Sequence, residues 1–286
     1  MKESTYHITS LEMKAAVLKV PAAPEIFVKL GKMLKDKETE MLDVVRLVEK
    51  DPALVAKVLR FSNTAYYNSG EPIGSLEEAI NRIGFAELLR IVGMASIGEI
   101  YGVWNLAYGV GGDVIWHNSL AVGLVMEQFA AANGEDLNGA YTLGILRSLG
   151  KLIINNCAKT HNEPPVYDIE KDMPLLMWEK NVFDNTNPFA ADHVLESWCF
   201  PEKELIGLRF QYNPELAPEP NRFACMLNIA GQVAEKIGKA MPGESSYWNG
   251  DDDGFLEVAG LSNAHVKSAT GRASEKLSKI LDSLKN

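Results

Sequence analysis

Three observations predict an all-α fold. Apolar residues recur at three- and four-residue spacings through most of the 286 residues. No segment alternates with the two-residue period and β-branched content of a half-buried strand. Helix-start and helix-stop residues punctuate the apolar segments at intervals suited to helices. Hydrophobic residues make up 47% and charged residues 23% of the chain, enough apolar material at this length for a sizeable core.

Taken in order, PEIFVKLGKMLKD is predicted helical from Pro24, with Ile26, Phe27, Leu30, Met33 and Leu34 inward. MLDVVRLVEK repeats the pattern with Leu42, Val45 and Val48. Asp51-Pro52 starts the next helix, because Asp51 can accept from the first free amides and Pro52 lacks a donor that would be wasted there. Its inner face is Leu54, Val55, Val58, Leu59 and Ser62. Ser75 and Glu78 form a capping box for SLEEAINRIG, which Gly84 is placed to end in a left-handed turn. FAELLRIVGMASIGEI follows as a buried helix.

The glycine-rich stretch 102–112 is the best internal boundary. Beyond it, WHNSLAVGLVMEQFAAA places Trp116, Leu120, Leu124, Val125 and Phe129 along one side. Further helices are predicted near Asp172 to Lys180, across Ala190 to Trp198, from Pro201, and over NRFACMLNIAGQVAEKIG. WNGDDDG reads as a solvated acidic loop. In the last helix Val266, Ala269, Ala273, Leu277, Ile280 and Leu284 fall on one stripe.

Several classes of function are disfavoured. The formal charge of −10 works against broad attachment to nucleic acid or to an anionic membrane. There is no signal peptide and no apolar run long enough to span a bilayer, so a cytoplasmic protein is expected. Cys157, Cys199 and Cys225 are far apart and read as small buried hydrophobes of a reducing compartment. Phosphate-cradling glycine loops and the nucleophile elbow are missing. His7, His117, His161, His193 and His265 include no pair at helical metal-ligand spacing.

Residues 143–154, LGILRSLGKLII, pose the sharpest question: an apolar run interrupted by Arg147, Ser148, Gly150 and Lys151. A resemblance supplies a context. Asp51, Pro52, Leu54, Leu59, Arg60, Asn63, Thr64 and Tyr66, followed by Ile73, Ser75, Leu76, Ala79, Ile80, Ile83 and Gly84, resemble the signature of the HDOD (HD-related output domain) family. VPAAPEIFVKL is similar to its proline-containing lead-in, with Val20 in a leucine's place. WHNSLAVG and ESWCFPEKELIGLRFQYNP agree in order and spacing. The resemblance spans residues 18–214, with an N-terminal helical part at 18–101, an HD-like part at 113–214, and 215–286 completing the core. Capping, turns and packing alone would account for Asp51, Pro52, Ser75, Glu78 and Gly84, and the resemblance makes Arg60 and Asn63 structural signature residues beside them.

HDOD domains are similar to HD phosphohydrolases, in which one histidine, a His-Asp pair and a later aspartate hold a divalent metal that activates water. Under that resemblance His117 keeps the first histidine, while Arg147 and Ser148 stand at the His-Asp pair. Gly150 and Lys151 are retained. Asn187 and Gln211-Tyr212 replace further histidines, and Asn228 replaces the final aspartate. A guanidinium cannot ligate a cation and repels one. The resemblance therefore implies a non-catalytic signalling module with neither metal nor cofactor. It would engage a signalling protein in trans or a small ligand such as a nucleotide. The competing reading is a metal-dependent phosphohydrolase of a nucleotide or cyclic dinucleotide, recruiting Asp192, His193 or Glu196, of which Asp192-His193 reads as a solvent-facing pair. His117, Arg147, Ser148, Lys151, Asn187, Gln211 and Tyr212 are the candidate pocket. Arg147 is expected to close the vacated space through a salt bridge to a nearby carboxylate, unless a phosphate takes that role. Oligomeric state is not legible in the sequence.

Overall fold

A computed structural model describes residues 6–20, 22–68, 70–101, 106–160, 163–171, 173–244, 247–250 and 253–283. The described residues are all-helical: α1 (Ser10–Val17), α2 (Ala22–Met33), α3 (Met41–Val48), α4 (Pro52–Ser62), α5 (Leu76–Tyr101), α6 (Gly112–Asn133), α7 (Leu137–Leu146), α8 (Leu149–Ala158), α9 (Leu175–Phe183), α10 (Asn187–Ser197), α11 (Glu202–Arg209), α12 (Arg222–Lys236), α13 (Asp253–Ala259) and α14 (Asn263–Ser283). None is long and apolar enough to cross a membrane.

Local chemistry explains the ends. Asp51 accepts from the Leu54 amide at 3.0 Å, and Pro52 opens α4. We expect Asp51→Ala to cost about 1 kcal/mol through this lost cap, readable as a lower urea midpoint. Asn63 closes the same helix and pins the following loop, donating to Leu59 O at 2.9 Å and Ile73 O at 2.8 Å and accepting from the Ile73 amide at 2.7 Å. Arg60 is exposed. The Ser75 cap forms, with its hydroxyl accepting from the Glu78 amide at 3.1 Å, but Glu78 reaches back to the Gly74 amide rather than to Ser75. Gly84, at φ 79° and ψ 166°, is non-helical and divides α5 into two helical stretches, 76–83 and 85–101, that meet at a kink, so the first helix ends at this positive-φ glycine and a second follows it.

Two layers share a core. α5 packs on α2, α3 and α4 in the N-terminal part and on α6 and α7 beyond. α6 is the central post, flanked by α5, α7, α12 and α14. Its buried residues run around most of its circumference, Ile115, Asn118, Leu120, Val122, Val125 and Phe129 among them, which is why its sequence lacks a polar face. α8 lies against α10 and α1. The stripe predicted for α14 is buried at Val266, Ala269, Ala273, Leu277 and Ile280, while Leu284 lies outside the described residues.

Several expectations change. α1 was not among the predicted helices; Thr9 and Glu12 close its start with a reciprocal cap. In α3 the inward residues are Val44, Val45, Leu47 and Val48, with Leu42 exposed. The start of the glycine-rich stretch, residues 102–105, lies outside the described residues, yet Ala107 and Tyr108 just after it are fully packed. Asp172, His161 and two aspartates of the acidic stretch, Asp251 and Asp252, are also outside; Trp248 of that stretch is buried, and α13 begins within it at Asp253. Cys199 is exposed, unlike Cys157 and Cys225. Asp192 is buried, with an ion pair to Arg209 Nε at 2.5 Å, so it is no solvent-facing partner of the exposed His193.

Candidate functional site

The polar insert of residues 143–154 falls at a break between two helices. Arg147 caps the C-terminus of α7, Ser148 follows at φ −99° and ψ 8°, and α8 starts at Leu149. The Arg147 and Lys151 side chains are both fully buried. This placement is possible only because every one of their polar atoms has somewhere to go.

Arg147 bonds through all three of its nitrogens. Nε donates to Gln211 Oε1 at 2.9 Å, Nη1 to Asn118 Oδ1 at 2.7 Å, and Nη2 to Glu244 Oε2 at 3.0 Å and Tyr247 OH at 2.6 Å. Lys151 Nζ donates to Glu244 Oε1 at 2.5 Å, Tyr212 OH at 3.0 Å and Ser148 Oγ at 3.4 Å. The hydroxyls of Tyr212, at 2.5 Å, and Tyr247 in turn donate to the Glu244 carboxylate. Four donors therefore converge on two oxygens of one carboxylate whose side chain is 1% exposed. Gln211 also donates to Arg147 O at 3.2 Å, and Asn228 donates to Gln211 O at 3.0 Å while accepting from the Trp248 amide at 2.7 Å.

Asn187 belongs to an adjoining cluster. Its side-chain and backbone amides, with Tyr108 OH at 2.8 Å, all donate to Glu179, which is buried and electrostatically coupled to Lys151. His117 is half-buried on α6 with its ring 5.0 Å from that of Trp116. The α6 side chain bonded to Arg147 is its neighbour Asn118.

The electrostatics follow from burial opposed by pairing. Burial raises the Glu244 pKa, but Arg147 and Lys151 outweigh it and hold the group at about 2. Burial lowers Arg147, yet Glu244 and the two tyrosines carry it above its ordinary value. Lys151 ends below its ordinary value because burial, with Arg147 adding to it, exceeds the pull of Glu244. Burial raises Glu179 against Lys151 and its hydrogen-bond donors. A carboxylate depressed in the fold contributes stability that is complete above its unfolded pKa and drains as pH falls through the folded one. For Glu244 that window runs from 4.5 down to about 2. Glu179 has the opposite sign: its burial cost is relieved as pH falls through its raised pKa. We expect urea midpoints to fall across the Glu244 window and Glu244→Gln to flatten that part of the profile; an unchanged slope would contradict the assignment.

Sequence reasoning brought five of these residues together and missed the one at their centre. Arg147, Ser148, Lys151, Gln211 and Tyr212 meet in one hydrogen-bonded network, and Arg147 pairs there with a carboxylate. It is Glu244, 97 residues from Arg147 and in an irregular segment without any motif. Tyr247, Asn118, Glu179 and Tyr108 were not anticipated either.

With this geometry in view, comparison with known proteins is direct. The HDOD domain family matches residues 20–214, and the chain belongs to that family. An HDOD domain protein with unknown function from Geobacter sulfurreducens has the same fold, with a TM-score of 0.69 at 16% identity over 94% of this chain and 98% of that one. A protein from Shewanella amazonensis SB2B, provisionally named a phosphohydrolase, superposes with a TM-score of 0.62 at 21% identity over 94% of this chain and 98% of its own. One from Marinobacter aquaeolei VT8, provisionally assigned to signal transduction, gives 0.66 at 17% identity, covering 95% of this chain and 64% of that one. An uncharacterized protein of Treponema pallidum (strain Nichols) is 22% identical over 70% of this chain, which spans only 39% of that relative.

The relationship to HD phosphohydrolases raises the question of a divalent metal. The donors gathered at the helix break are a guanidinium, an ammonium, two phenols and two amides around one carboxylate, and that carboxylate already accepts four bonds. Two buried cations repel a third, and phenols or amides do not replace imidazole and carboxylate ligands. The donor set does not fit the metal.

Proposed function

We propose that the chain is a non-catalytic signal-transduction module, which binds a partner protein in trans or a small ligand through a degenerate HD-type core. The observation that carries this reading is the Arg147–Glu244–Lys151 network: two fully buried cations and their carboxylate fill the space where metal chemistry would need an open, electron-rich site. Glu244 and Tyr247 come from the region after residue 214, which supports the view that 215–286 completes the core rather than forming a separate unit. A cytoplasmic working place fits cysteines that are not joined in a disulfide among the described residues.

The test is affinity capture by the tagged protein from its own host's lysate, beside Tyr247→Phe, which trims one hydroxyl from the network and keeps its charges. A signalling protein retained by the wild type and released by the folded variant would tie the core to output. Hydrolysis of a nucleotide or cyclic dinucleotide in manganese or iron, abolished by His117→Ala, would overturn the reading in favour of a phosphohydrolase.

A further inference from the structure

Resting on the non-catalytic reading, we infer that Arg147, Lys151, Tyr212 and Tyr247 form an oxyanion-binding site that Glu244 occupies as an internal competitor, its ligand being a small phosphate or carboxylate bearing a planar ring.

Three features carry this. The four groups that converge on Glu244 are all donors to anions, and Arg147 and Lys151 are held in place from behind by other partners. Asn118 and Gln211 fix the guanidinium, and Ser148 lies against the ammonium. Removing the Glu244 side chain would leave a preorganised cradle rather than a collapsed one. Secondly, the carboxylate is a single side chain on an irregular segment between α12 and α13, whereas Arg147 and Lys151 stand at or within helices.

Thirdly, the two tyrosines face both ways. Their hydroxyls meet Glu244, and their rings line a surface cleft of ≈ 350 Å³ together with Trp248 and Phe255. The Tyr212 and Tyr247 centroids are 6.1 Å apart at 34°, too tilted and close to admit a ring between them, so a planar group would stack on the exposed side of this wall, beside Trp248. Glu215 on the same cleft disfavours further negative charge beyond the headgroup. A ligand that enters must break the charge-assisted bonds of Glu244, so wild-type affinity is held down by its own side chain.

The experiment titrates the protein with phenyl phosphate, benzoate and inorganic phosphate at constant ionic strength, following intrinsic tryptophan fluorescence and thermal midpoint. Phenyl phosphate or benzoate should bind the wild type saturably, and Glu244→Gln should bind about tenfold or more tightly, a gain of about 1.4 kcal/mol. Lys151→Met should abolish binding, with the fold checked by circular dichroism; if that variant unfolds, Tyr247→Phe should weaken it several-fold. Whichever of the two aryl anions binds more tightly assigns the headgroup. No binding of any probe to the wild type would overturn the site, as would binding indifferent to Lys151→Met and Tyr247→Phe. Inorganic phosphate binding as tightly as phenyl phosphate would remove the cleft from it. Release of phenol would instead overturn the non-catalytic reading, and loss of the site would leave partner binding standing, so the two failures are distinguishable.

Discussion

Replacing Glu244 by alanine is expected to cost about 3–5 kcal/mol of unfolding free energy, because it strands Arg147 and Lys151 in the interior without their carboxylate. The cost comes from desolvation. Bringing each cation out of water is unfavourable by several kcal/mol, and direct pairing offsets most of it only while the partner is present. The companion experiment exchanges Arg147, Lys151 and Glu244 together for apolar residues of similar volume. That triple variant should regain most of the lost stability, since no charge is left unpaired. Urea unfolding of the two variants beside the wild type reads the difference. A loss near 1 kcal/mol or less in Glu244→Ala would mean that the carboxylate is not the pivot of the network.

The second large effect is expected at Gly150. A Cβ there would lie 1.7 Å from the Asn187 carbonyl oxygen, 2.6 Å from its carbonyl carbon and 2.9 Å from the Ala191 amide nitrogen. All three are backbone atoms of α10, so no side-chain rotation relieves the clash. α8 and α10 would have to part, carrying Lys151 and Asn187 away from the two buried clusters. Gly150→Ala is expected to lose about 3 kcal/mol or more, beyond the usual range for overpacking because the obstacle is main chain. Thermal or urea unfolding checks it; a variant as stable as the wild type would show that the helices do not approach this closely.

This residue also shows how far the sequence could be read. Gly150 and Lys151 could be picked out as retained neighbours of a rebuilt His-Asp position, but the reason for the glycine, a backbone of another helix at van der Waals range, is a property of packing that no local pattern encodes. The fold was legible because helical periodicity and caps act within a few residues: Asp51-Pro52, the Ser75 cap and the α14 stripe are all local. The cationic half of the site was legible for the same reason, since Arg147 and Lys151 stand four residues apart in an apolar run. Its anionic half was not. Glu244 reaches the cluster from an irregular segment between two helices, where neither period nor motif marks it, and charge balance says only that such a residue must exist. Asp192 failed in the opposite direction. A helix position that looks solvent-facing in sequence is buried once α11 brings Arg209 against it.

The most direct test of the rebuilt site is metal analysis of the purified protein after loading with manganese or iron and removal of loosely held ions. The charge arrangement around Arg147 and Lys151 leads us to expect no stoichiometric metal and no change in content on substituting His117. One metal per chain, lost in His117→Ala with the fold intact, would contradict the pseudo-enzyme account and return the protein to phosphohydrolase chemistry.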